Sequence, residues 1–399
     1  MQESDIVVIG ASTAGLFTSY LLARQGMHVR LFDQTEMLGP PARTLIVTSK
    51  LSDTLGFVPS EAIVNRTPYI QLLSRSQSTT MSFREPDLIL EREKLVQLLV
   101  RKAQDAGVEI NLRQRFSSME PDGDGLVVNI LQPDTLQVQH FKTRVLIGAD
   151  GAFSQVAQAI GKDHHQQLGI WQAKVRLPAY ARADTTQIWF DRRCTPFFYW
   201  LIPESKESGA LGVAAENSAK AKEALGVFAS EGTYEVLEFQ EAEVPAYSYF
   251  PQPEQRIGGS RILLVGDAAR HVKVTTVGGV VSGLRGARAA ARAIVHRTSY
   301  TWELRALRLE LGVQWLMRVI LNKFSEADYD HLLIWLGQAT KGVLATYTRD
   351  EAAKALPYLI LAQPKHLWLA ARVLLKLNLL RQQERDTVWP VRGFVDDRI

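Results

Sequence analysis

Residues 5–34 read DIVVIGASTAGLFTSYLLARQGMHVRLFDQ. Ile6 to Ile9 is a short apolar run of the kind that forms a buried parallel strand. Gly10-Ala11-Ser12-Thr13-Ala14-Gly15 follows as a glycine-framed turn. Leu16 to Arg24 has helical spacing, Gly26 interrupts it, and His28 to Phe32 reads as a second strand that ends in Asp33. The whole is a strand–helix–strand unit with an acidic residue 18 positions after Gly15. Such a unit fits a dinucleotide. Gly10 permits the tight turn, Ser12 stands where a small residue lets backbone approach a pyrophosphate, and Gly15 lets the helix lie close on the strand. Free N–H groups at the helix start bind the phosphates, and Asp33 is placed to accept from a ribose hydroxyl.

Two later stretches repeat the pattern of a buried strand that ends in glycine and aspartate. Arg144 to Val156 contains Gly148-Ala149-Asp150-Gly151, with a helix start at Ser154. Arg261 to Gly283 contains Gly266-Asp267, a polar loop with His271 and Lys273, then Gly278-Gly279 at the start of a helix expected over residues 284–296. A helix N-terminus aimed at a cofactor ring favours negative charge there. Arg43 lies in a glycine- and proline-containing loop as a candidate phosphate ligand. Leu88 to Ala103 reads as a strand running into an amphipathic helix, residues 126–131 and 135–142 as a hairpin, and residues 45–69 as irregular.

Residues 165–255 change character. Short alternating segments at 187–190, 197–202 and 210–214 predict an antiparallel sheet. Within it, Phe198 and Trp200 share one face by the two-residue repeat, and Ile202 continues it. The last hundred residues read as wholly helical. The expected architecture is α/β. A discontinuous Rossmann-like dinucleotide-binding unit spans 1–60, 86–164 and 256–300. A substrate-binding antiparallel sheet spans 61–85 and 165–255, and a helical region spans 301–399.

Composition narrows the function classes. A chain of 399 residues can bury a large core. One cysteine, Cys194, excludes a disulfide framework and a cysteine metal cluster. A net charge of +4 does not argue for nucleic acid. The first strand begins within five residues of Met1, which leaves no room for a signal peptide, and a cytoplasmic location is expected. The stretch 366–380 is largely apolar, and on a helix Lys365, Arg372, Lys376 and Gln383 fall on one stripe, so peripheral contact with a membrane surface is a further expectation.

The three glycine–aspartate motifs occur in the order of the FAD-dependent oxidoreductases of the aromatic-hydroxylase superfamily, which residues 1–300 resemble. Within that superfamily, Gly266-Asp267-Ala-Ala with Lys273 and Gly278-Gly279, and the run from Phe198 to Pro203, are most similar to the geranylgeranyl reductase family. The resemblance implies FAD held by the glycine loop, Asp33, Arg92 and Asp267, an apolar cavity walled by Phe198, Trp200 and Ile202, and reduction of isoprenoid double bonds. His271 and Lys273 are the candidate proton donors. NAD(P)H or another redox partner supplies the electrons, since no second nucleotide-binding turn is visible. Flavin-dependent monooxygenases and halogenases carry a related tryptophan-rich run and form the alternative; a non-enzymatic prenyl-lipid carrier is the third reading. The chain departs from the family pattern at Ala157 and Arg270, where arginine and glycine are usual, and at Val274, where proline is usual.

Overall fold

A computed structural model of the protein describes residues 2–39, 43–162, 167–245, 253–365, 368, 371 and 372. The first strand, Ile6–Ile9, lies inside a six-stranded sheet. Val29–Phe32 and Glu109–Asn111 extend that sheet on one side; Val145–Gly148, Ser260–Leu264 and Glu254–Ile257 extend it on the other. All pairings are parallel except the edge pair Glu254–Ile257 with Ser260–Leu264. Alternation along Ile6–Ile9 decides what each face covers. Ile6 and Val8 join one core with Leu16, Leu95 and Leu284, which come from the helices Thr13–Ala23, Arg92–Asp105 and Val280–Val295. Val7 and Ile9 join another core with Phe116, Val128 and Phe141 from a four-stranded sheet on the opposite face. Two covered faces explain why the strand reads as continuously apolar.

An eight-stranded sheet forms the second unit. Its order is Val236–Pro245, Gln167–Arg176, Ser208–Ala215, Tyr199–Pro203, Thr185–Trp189, Ile63–Leu73, Ser78–Glu91 and Thr44–Val47. It is antiparallel except where Thr185–Trp189 meets Ile63–Leu73. Phe198, Trp200 and Ile202 face one side, while Tyr199 and Leu201 face the other and pack on the helix Ser218–Glu231. That helix was not expected, although Asn217 caps it by accepting from the Lys220 N–H at 2.9 Å.

Residues 45–69 are more regular than their polar sequence suggests. They contain most of the strand Thr44–Val47, the helix Lys50–Leu55 and the start of Ile63–Leu73. Thr44–Val47, assigned by sequence to the dinucleotide unit, pairs instead with residues 88–91 at the edge of the large sheet. Residues 86–91, likewise assigned to that unit, complete the strand Ser78–Glu91 before the helix starts at Arg92. Beyond residue 300 the described chain forms the helices Tyr300–Glu303, Arg305–Leu321, Glu326–Ile334, Gln338–Thr346 and Ala352–Ala362. Lys376, Gln383 and most of the apolar stretch from His366 lie outside the described residues.

Candidate active site

The two units and the helical region enclose a cavity of about 740 Å3. One end is the dinucleotide loop, lined by Ser12, Thr13 and Ala14, with Arg43, Arg92, Gly151, Gly266 and Asp267 around it. The other end is apolar, walled by Phe198, Trp200 and Ile202 together with Ile70, Ile188 and Phe190. Between them runs the loop that supplies Lys273, Gly278 and Gly279. Residues predicted from motifs far apart in sequence thus meet on one surface.

At the loop end, Ser12 caps the helix Thr13–Ala23, its hydroxyl accepting from the Gly15 N–H at 3.2 Å. Arg43 and Arg92 line the same end of the cavity as Asp267 and feel its charge. Burial and the neighbouring Arg92 draw the Arg43 guanidinium down to about 10, while Asp267 opposes the shift. Burial pushes the Asp267 carboxyl above its ordinary value, against the pull of both arginines. Two partly buried cations against one partly buried carboxylate leave an excess positive charge facing the cavity. An anion bound there relieves it, and a pyrophosphate beside a helix N-terminus is such an anion.

Other predicted residues shape the site without lining the cavity. Gly10 has φ +102, and a Cβ on it would stand 2.4 Å from the Ala149 carbonyl oxygen. The glycine is therefore demanded by the protein's own backbone before any pyrophosphate is considered. Asp33 accepts from the Ala11 N–H at 2.6 Å and from the Thr35 N–H at 2.8 Å, so it fixes the loop. Asp150 accepts from the Ser154 hydroxyl at 2.5 Å and the Gln155 N–H at 2.7 Å. It organises the start of the helix Gln155–Ala159 rather than facing the cavity.

The two candidate proton donors separate. His271 is buried away from the cavity, its ring lying against Gly286 of the helix Val280–Val295. Burial pulls it down to about 3, so it is neutral at ordinary pH. Lys273 lines the cavity, and its Nζ lies 2.6 Å from Asp350 Oδ1. Asp350 also accepts from the Thr48 hydroxyl at 2.6 Å. Burial alone raises the Asp350 carboxyl, but Lys273 and Thr48 outweigh it and hold the group below its ordinary value. Next to this pair, Arg349 reaches the cavity and bonds Asp87.

Sequence reasoning missed Asp87, Arg349 and Asp350, as well as Arg318 and Gly212. Arg318 donates to the carbonyls of Val274 and Thr275 at 3.0 and 2.8 Å. Gly212 pairs with Trp200 across the sheet, and a Cβ on it would stand 2.3 Å from the indole. A glycine inside a strand signals a close approach, so this one was findable. Arg270 takes φ +55, the left-handed conformation that explains why glycine is usual there.

A parallel strand–loop–helix unit, an aspartate under the influence of two arginines and an adjoining apolar chamber define a dinucleotide-dependent flavoenzyme. The chain belongs to the FAD binding domain family, whose model matches residues 3–299. Its cofactor is FAD, and it is an FAD-dependent oxidoreductase. A digeranylgeranylglycerophospholipid reductase of Methanocaldococcus jannaschii is 25% identical over 372 residues, 85% of this chain and 92% of the relative. The protein of the same name from Methanococcus vannielii is 23% identical over 296 residues, 70% of this chain and 74% of its own. Among solved structures, a geranylgeranyl bacteriochlorophyll reductase-like protein of Thermoplasma acidophilum superposes with a TM-score of 0.78 at 16% identity, covering 95% of this chain and all (100%) of that one. A flavin-dependent halogenase superposes at 0.66 with 16% identity, covering 90% of this chain and 77% of its own.

Proposed function

We propose that the protein reduces carbon–carbon double bonds of an isoprenoid or similarly hydrophobic substrate. The observation that carries this reading is the cavity itself, which passes without a break from the phosphate-binding loop to an apolar chamber. When bound, FAD supplies hydride chemistry. Ser12, Thr13, Arg43 and Arg92 hold its phosphates, and Gly151, Gly266, Asp267, Gly278 and Gly279 border the rest of it. Gly10, Ala11, Ala14, Gly15, Asp33 and Asp150 keep the loops in shape.

Phe198 and Trp200, whose ring centroids are 5.8 Å apart, wall the chamber with Ile202. A chain of methylene and methyl groups gains about 0.8 kcal/mol for each CH₂ equivalent it buries there. Lys273 is the proton donor in this reading. Its ammonium is held at the chamber wall by Asp350 and can release a proton to a substrate carbon as the adjacent carbon takes up hydride. The names of the relatives support reduction. The halogenase neighbour keeps oxygen-dependent chemistry as the second reading. A dithionite-reduced holoenzyme, kept anaerobic and given a geranylgeranylated lipid, regains the oxidised flavin spectrum if the proposal holds. A spectrum that recovers only when oxygen is admitted contradicts it.

A lipid substrate also implies approach to a membrane surface. No helix among the described residues is long and apolar enough to cross one. Tyr358, Leu361 and Trp368 are exposed on the helical region, close in sequence to Lys354 and Lys365. Arg372 lies 3.5 Å from Asp328, so it is not free to meet lipid as its place on the predicted stripe suggested. Sedimentation with anionic liposomes tests the contact; protein that stays wholly in the supernatant refutes it.

A further inference from the structure

Thr275 to Gly279, the loop that follows the buried Val274, forms part of the cavity wall. Behind that loop sits Arg318, from the last turn of the helix Arg305–Leu321, only 6% exposed. Its Nε donates to the Val274 carbonyl at 3.0 Å and its Nη2 to the Thr275 carbonyl at 2.8 Å. Nη1 stands 3.5 Å from the Pro196 carbonyl oxygen and 3.4 Å from Asn322 Oδ1. The guanidinium lies 4.8 Å from the centre of the Phe197 ring. Every hydrogen bond it makes among the described residues therefore ends on an uncharged oxygen.

A buried cation without a carboxylate is expensive to keep. Burial draws the Arg318 guanidinium down to about 10, which still leaves it charged at neutral pH. Its position indicates what the charge does. In a planar trans peptide the C=O and the following N–H point in opposite directions. With the Val274 carbonyl turned back onto Arg318, the Thr275 N–H points away from it. With the Thr275 carbonyl also turned back, the Thr276 N–H points away as well and bonds the Lys273 carbonyl at 3.3 Å, which closes the turn. Gln314, one helical turn before Arg318, accepts from the Thr275 hydroxyl and holds the same loop. The helix Val280–Val295 starts immediately after it. Oriented peptides, a helix N-terminus and a cation behind them make one side of the loop electropositive.

We infer that Arg318 is a positioning residue that sets the reduction potential of the bound FAD, its charge favouring the reduced, more negative flavin over the oxidised one. The inference rests on the reading that this loop borders the flavin. Spectroelectrochemical titration of the purified holoenzyme tests it, with FAD stoichiometry and thermal midpoint measured on the same samples. Arg318→Met is expected to cost about tenfold in the affinity for reduced relative to oxidised FAD, about 30 mV in midpoint potential for a two-electron couple. Arg318→Lys keeps the charge and is expected to stay near the wild-type value.

Asn322→Asp covers the case in which Arg318→Met fails to fold. It places a carboxylate beside the same Nη1, leaves the carbonyl bonds in place, and is expected to shift the potential in the same direction without lowering the thermal midpoint. Bound FAD with an unmoved potential in Asn322→Asp overturns the inference alone, as does an Arg318→Lys shift as large as that of Arg318→Met. A wild-type protein that takes up no FAD overturns the reading of the cavity, and the inference with it.

Discussion

Replacing Gly278 by valine separates the cofactor's space from the protein's own. A Cβ at Gly278 meets Thr276 Oγ1 at 3.5 Å and Lys273 Cε at 3.7 Å, which is ordinary contact. The residue lines the cavity, so the added isopropyl group occupies room that FAD needs. Overpacking of this kind costs about 1–3 kcal/mol. At about 1.4 kcal/mol per factor of ten, FAD affinity falls by roughly 5- to 150-fold. Gly10→Val is the contrast. Its Cβ would stand 2.4 Å from the Ala149 carbonyl oxygen and 2.7 Å from the Asp150 Cα, at φ +102. Backbone strain of about 1–3 kcal/mol adds to that clash. The sum takes a large share of a net stability of about 5–15 kcal/mol, and loss of the fold is expected. Flavin fluorescence quenching on titration into apoprotein gives the affinity. Thermal unfolding is compared on apoproteins, because bound FAD stabilises by mass action. A Gly278→Val protein that folds and binds FAD as tightly as the wild type refutes the placement of the cofactor.

Trp200→Ala should leave FAD stoichiometric and raise the Kd of a long isoprenoid substrate, measured by equilibrium binding. Gly212→Ala should act on the same chamber by displacing the indole, with a lower thermal midpoint and FAD retained. Lys273→Met strands the buried Asp350 carboxylate and should cost about 3–5 kcal/mol in denaturant unfolding. Adding Asp350→Asn should restore most of that stability but not turnover; restored turnover would remove Lys273 as proton donor. His271, with its folded-state value lowered to about 3, gives a pH signature. The unfolded chain binds a proton near pH 6.5 that the folded one refuses, so stability falls as pH drops from about 6.5 towards 3. Asp267 and Asp150, raised chiefly by desolvation, act in the opposite sense in the acid range. His271→Phe should therefore flatten the wild-type slope between pH 6.5 and 5; an unchanged slope refutes the buried neutral histidine.

What the sequence reveals here is local, and what it hides is not. Ile6–Ile9, the turn after it and Asp33 lie within thirty residues, and type and spacing mark all three, although Asp33 bonds the Ala11 and Thr35 N–H groups and does not line the cavity where a ribose contact was expected. The face shared by Phe198, Trp200 and Ile202 follows from a two-residue repeat and recurs in the structure. The Lys273–Asp350 pair and the Arg318 clamp join segments with no common period, so no pattern along the chain announces them. His271 and Lys273 show the same limit. Two positions apart in one loop, they look equivalent as proton donors, yet one lies against Gly286 and the other on the cavity wall. The helix Lys50–Leu55 escaped because its polar residues alternate with few apolar ones, and only Leu51, Thr54 and Leu55 are buried.

The central claim is that the apolar chamber presents a double bond to FAD for reduction, and the mass of the product tests it most directly. The dithionite-reduced holoenzyme is mixed anaerobically with a geranylgeranylated lipid and the product is weighed by mass spectrometry. The expected product gains two hydrogens for each double bond reduced, with no oxygen consumed. A product formed only after oxygen is admitted, and carrying an added oxygen or halogen atom, would contradict it.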